Sequence, residues 1–104
     1  MKIIPEKFIK NGFKHILVKR EEEVAIYRRH PITSSKHSHY EVVIIGSHDG
    51  TEINGNFIEA GEIYPSTSQW GDKGWTFRTL EEAETRFISV KKKIKLSALK
   101  QKNK

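Results

Sequence analysis

The 104-residue chain contains no cysteine. That excludes a disulfide framework, a thiol nucleophile and a thiolate metal centre. No apolar run approaches the roughly 20 residues that a membrane-spanning helix needs. Met1 to Gly12 carries lysines but no continuous apolar stretch, so it does not read as a secretory signal. Catalytic signatures are missing too: there is no G-x-S-x-G, no P-loop, no G-x-G-x-x-G and no H-E-x-x-H. Glu21 to Glu23 read as a polar turn and Glu81, Glu82 and Glu84 as the start of a helix, not as paired catalytic carboxylates. These absences lead to the expectation of a non-enzymatic protein without cofactor, soluble and cytoplasmic.

Hydrophobic residues make up 36% and charged residues 31% of the chain. A chain of this length buries roughly 60–70% of its unfolded surface, enough for one modest core. The net charge of +6 is unevenly spread. Residues 1–20 hold six Lys/Arg against one Glu, residues 21–90 hold six against twelve acids, and residues 91–104 hold seven Lys and no acid. The expected division is a basic N-terminal lead (1–12), a single acidic domain (13–90) and a lysine-rich tail (91–104).

Phe13–Arg20 and Val24–Arg29 alternate as two strands of a hairpin around the glutamate turn. In the first, Phe13, His15, Leu17 and Lys19 share one face. In the lead, Phe8 and Ile9 suggest one helical turn stopped by Gly12. Tyr40–Gly46, with four consecutive aliphatic residues from Val42, is the expected central strand. Asn54-Gly55 marks a tight hairpin or a bulge between Thr51–Ile53 and Asn56–Ile58. Thr79-Leu80-Glu81-Glu82 matches a capping box, and Leu80, Ala83, Phe87 and Val90 then fall on one helical face; Lys91 to Lys93 suit its C-terminal end, and Ile94, Leu96, Ala98 and Leu99 could extend a weak helix beyond them. The fold class follows: α+β, an antiparallel sheet of about four to five strands covered by one C-terminal helix.

Four histidines, His30, His37, His39 and His48, crowd into nineteen residues. Two imidazoles two residues apart on an extended segment can share a metal ion. No carboxylate stands at a familiar ligand spacing, so no metal site is expected.

The most distinctive stretch is Tyr64 to Phe77, in which Trp70 and Trp75 are separated by Gly71 and Gly74. The glycines imply a positive φ or a close backbone approach. Trp75 and Phe77 alternate into the core, whereas Trp70, in a polar run, is the expected surface anchor for a partner, with Tyr64, Asp72 and Lys73 beside it. The pattern Tyr64-Pro65-Ser66, Trp70-Gly71, Gly74-Trp75, Phe77 and the following Leu80, Glu82, Ala83, Glu84 and Phe87 resembles a group of small uncharacterised bacteriophage and prophage accessory proteins. A weaker likeness is to the WGR domain, whose defining arginine is replaced here by Asp72.

The phage resemblance implies a compact domain and no catalytic residues. Together with the small size and acidic body it leads to the expectation of a binding protein acting on a host macromolecule. An inhibitor of a host defence nuclease, or a partner of a nucleic-acid-processing complex, is one form of that reading. The alternative is sequence-independent nucleic-acid binding through Lys14, Lys19, Arg20, Lys91, Lys92, Lys93 and Lys95. A homodimer through the edge formed by Thr51–Ile58 is a third.

Overall fold

The computed structural model describes residues 2–34 and 36–102, with side chains as far as Ala98. A five-stranded antiparallel sheet carries one long helix on one face. The strands are β1 (Lys7–Lys10), β2 (Phe13–Glu21), β3 (Val24–Pro31), β4 (His39–Ile44) and β9 (Gly74–Phe77), in the order β1-β2-β3-β4-β9. Four short strands lie between β4 and β9. β5 (Gly46–His48) pairs with β8 (Gly61–Ile63), and β6 (Thr51–Ile53) with β7 (Asn56–Ile58). The helix α1 spans Leu80–Lys102.

Local chemistry sets these boundaries. Asn11-Gly12 and Asn54-Gly55 both take positive φ at both residues, the conformation of a two-residue hairpin turn that follows the strand twist. The lead is therefore not helical: Lys7–Lys10 is an edge strand of the sheet, turned back on β2 at Asn11-Gly12. At the start of α1, the Glu82 amide donates to Thr79 Oγ1 (3.2 Å), and that hydroxyl donates to the Glu82 carboxylate (3.0 Å). The helix does not stop at Val90. It runs on to Lys102, Ile94 packs against the core, and Lys91 forms an ion pair with Glu21. Of the expected tail, Asn103 and Lys104 lie outside the described residues, as does Ser35 of the loop before β4.

The sheet buries side chains on both faces. Under the helix, Val24, Ile26, Val42, Ala83, Phe87 and Val90 form one cluster, with Tyr40, Trp75 and Phe77 against it. On the other face Ala25, Tyr27, Val43 and Ile45 form a second, closed by Ile4, Phe8, Leu17, Tyr64 and Trp70. A register shift between Leu17 and Lys19 divides β2. Leu17 faces the second cluster, but Lys19 no longer shares its face: its ammonium lies over the Phe87 ring.

Trp70 is not a free anchor. Its indole N–H donates to Thr76 Oγ1 (2.9 Å), and its ring covers Gly74 so closely that a Cβ there would stand 2.6 Å from it. Gly71 has φ +92°, so the two glycines serve the two purposes expected of them. Trp75 packs beneath the helix with the Arg86 guanidinium over its ring. Both tryptophans are half-buried structural side chains.

Candidate functional site

The face of the sheet opposite the helix is only partly closed. Beyond the second cluster a cleft of about 430 Å³ opens between the β1–β2 turn and the Tyr64–Trp70 loop. Strand alternation and register place its polar floor. His15 on β2 stands directly opposite Arg29 on β3, and Glu41 on β4 is opposite Tyr27 on one side and Thr76 on the other. Residues two apart on a strand share a face, so His15, Arg29 and Glu41 converge across three neighbouring strands.

Glu41 is the centre of the site. It is 4% exposed, and its carboxylate has three partners. Tyr64 Oη donates to Oε1 at 2.6 Å, His15 Nε2 lies 3.3 Å from the same oxygen, and Arg29 Nη1 lies 3.2 Å from Oε2. Burial alone would raise its pKa. The bonds from His15 and Tyr64 and the charge of Arg29 outweigh that and hold the carboxyl below its ordinary range. Tyr64 moves the opposite way: burial, the Glu41 charge and the bond it gives Glu41 push its phenol well above the usual value. Near neutral pH the pair is a carboxylate and a phenol, with no proton poised to move.

The remaining walls fix these groups in place. His15 is buried, stacks flat on Phe8 with ring centres 4.7 Å apart, and directs Nδ1 to the Phe13 carbonyl (3.2 Å). Arg29 lies over the Phe13 ring at 4.6 Å, and its buried Nε has no partner among the described residues. Lys10 spans the mouth, donating to the Pro65 carbonyl (3.2 Å) above the Tyr64 ring. The floor is thus one satisfied carboxylate, and the unspent charge around it is positive.

Of the expected anchors, Tyr64 and Trp70 line this cleft, although Tyr64 does so as a member of the buried network. Asp72 and Lys73 are exposed beside another hollow, between the tryptophan loop and α1. The seven cations expected to bind nucleic acid do not form one patch. Arg20 binds Glu62 bidentately (2.8 and 2.5 Å) on the cleft side of the sheet, while Lys91 pairs with Glu21 and Lys95 lies by the Glu21–Glu23 turn. Lys14, Lys19, Lys92 and Lys93 are exposed. Among the described residues no three His, Asp or Glu side chains gather closely enough to hold a metal ion. None of the described helices is long and apolar enough to cross a membrane.

Sequence reasoning missed His15, Arg29 and Glu41. The signal for Glu41 was its phase: it alternates with Val43 on the strand richest in β-branched residues, so it had to be carried into the interior with its partners. No protein-family model matches the chain, and neither does a curated protein or a solved structure.

Proposed function

We propose that this chain is a non-enzymatic binding module whose cleft receives an acidic side chain from an extended segment of a partner protein. The observation that carries the reading is Arg29. Glu41 and Phe13 hold its guanidinium in one orientation at the wall of the cleft, where the side chain is still 26% exposed. A carboxylate entering there meets a preorganised planar donor beside an aromatic surface, with Lys10 at the mouth. Acid–base chemistry is a poorer fit, because Glu41 and Tyr64 are shifted away from neutrality in opposite directions and are bonded to one another. The phage-type resemblance of the tryptophan loop suits a host protein as the partner, and occupation of a nucleic-acid-processing complex remains the form of action proposed for it.

The test is a backbone-amide NMR titration with short peptides carrying a central Asp or Glu. Shift changes should concentrate at Asn11, Phe13, Arg29 and Thr67 to Trp70. Arg29→Lys should keep the fold but weaken binding about tenfold or more, because an ammonium cannot reproduce the planar fork. Changes spread over the surface, or an unaffected Arg29→Lys variant, would sink the proposal.

A further inference from the structure

The helix covers only part of its own side of the sheet. It packs on β3, β4 and β9, while β1 and β2 lie at the opposite edge of the strand order. The side of β1 and β2 that points the same way as the helix therefore forms an open shelf. Its residues follow from register. Tyr40 packs in the helix-side cluster and pairs with Arg28, Arg28 pairs with Ile16, and Ile16 pairs with Lys7. One row across the sheet thus reads Lys7, Ile16, Arg28, Tyr40. The next row, two residues along β2, reads Ile9, Lys14, His30. Rows two residues apart lie roughly 7 Å from each other and neighbouring strands roughly 5 Å.

The shelf is a lattice of cations interleaved with aliphatic and aromatic side chains. Lys7 and Lys14 are exposed, Arg28 is half-buried, and Ile9 is 64% exposed. Among the described residues none of the three cations has a carboxylate partner. Lys19 continues the positive edge above Phe87. The acids on this side lie at the β2–β3 turn and on α1. Glu21 is occupied by Lys91, Glu22 and Glu23 line the same hollow beside Lys91 and Lys95, and Glu84 lies two helical turns before Lys91 on the same flank of α1. None of these acids stands in either row, so Lys7, Lys14 and Arg28 leave an uncompensated positive field on a flat, open surface.

We infer that this shelf is a docking surface for the phosphate backbone of a nucleic acid. An acidic protein segment is the less suitable occupant, because its charges are spaced irregularly. A nucleic-acid strand offers one phosphate per residue, so a regular lattice of cations can be engaged all along it. Ile9, Ile16 and Tyr40 supply apolar surface between the charges on which sugars and bases can rest. Nothing on the shelf reads base edges, so binding is indifferent to sequence. The surface lies on the other side of the sheet from the Arg29 cleft, and the inference stands independently of it.

The experiment is fluorescence anisotropy with a labelled oligothymidylate and, in parallel, a random duplex of similar length, at low and at near-physiological salt. With four cations engaged on a single strand, log K should fall against log salt with a slope of about −3. The double variant Lys7→Glu/Lys14→Glu should lose affinity at least tenfold at low salt and flatten the slope by about 1.4. Lys92→Glu/Lys93→Glu makes the same change in net charge on the helix and should cost less than threefold. Absence of binding at low salt, or equal losses from the two double variants, would overturn the inference. Circular dichroism of both variants confirms that the comparison is between folded proteins.

Discussion

Glu41→Gln is the sharpest probe of the buried network. The substitution keeps size and shape and retains one acceptor oxygen. It removes the charge that Arg29 and His15 face, and, with the amide oxygen kept at the Oε1 position shared by Tyr64 and His15, it turns an NH₂ group toward Arg29. Breaking a buried ion pair by removing one partner costs about 3–5 kcal/mol, because a charge is left in low dielectric. Arg29 is not fully enclosed: its side chain is 26% exposed, so water at the cleft recovers part of that cost. Tyr64 can still donate to the amide oxygen. The expected loss is therefore nearer 2–3 kcal/mol, a sizeable share of a total stability of about 5–15 kcal/mol. In urea, with a slope of about 1–2 kcal/mol per molar for a domain of this size, the midpoint should fall by about 1–3 M with the slope unchanged. Arg29→Gln in the Glu41→Gln background should cost much less than in the wild type, since the charge it neutralises no longer has a counterpart. A midpoint shift below about 0.3 M for Glu41→Gln, or strictly additive losses in the double variant, would refute the view that these groups act as one unit.

Phe87→Ala should cost about 3–5 kcal/mol, because the ring is 1% exposed at the centre of the helix–sheet cluster; thermal unfolding will report it. Truncation after Val90 removes the half-buried Ile94 and the Lys91–Glu21 pair and should lower stability by about 1–3 kcal/mol, mostly from the aliphatic contact, since an exposed ion pair contributes little. Gly74→Ala forces the Trp70 ring out of its seat; quenching of Trp70 in a Trp75→Phe background should increase sharply relative to the parent. The pH dependence has two signs. Glu41 and Glu62 are depressed, so their stabilisation is present above the ordinary carboxylate range and is lost as pH falls through their lowered values. Tyr64 and Tyr27 are raised, so theirs is present below about pH 10 and is lost as pH rises beyond it, with the tyrosinate absorbance of these two rings appearing as the protein unfolds.

The layer architecture was legible because its signals are local. Alternation in Val24–Arg29, the β-branched run from Val42 and the Thr79 cap each specify an element without reference to the rest of the chain, and one amphipathic helix beside a sheet has few ways to pack. Two errors were also local. Asn11-Gly12 carries the same turn chemistry as Asn54-Gly55, but read as a helix stop it hid the edge strand Lys7–Lys10. The lysines after Val90 outweighed, as a solvated tail, the weak helix extension through Ile94, which lies one helical turn beyond Val90 on the same face and packs on the core.

The cleft was illegible for a different reason. His15, Arg29, Glu41 and Tyr64 come from three strands and a loop, and no pair of them is closer than twelve residues in sequence. Each alone looks like an ordinary polar residue of a strand, and only the strand order makes them neighbours. What the sequence did hold was a cost. Once Glu41 is committed to the face of Val43 at the middle of the sheet, a bare carboxylate there would be prohibitive, so the fold has to bring donors to it. Tyr64 meets that need from the loop, and this accounts for Tyr64-Pro65 leaving β8 across the open face instead of turning away from it. The tryptophan loop, the most conspicuous feature of the sequence, then has a physical role apart from partner contact. Trp70 bonded to Thr76 and seated on Gly74 pins the far end of the segment whose near end delivers the phenol to Glu41. On this view the loop is the wall that keeps the cleft open and dry at its floor, and loosening Trp70 should disturb the cleft before it unfolds the sheet.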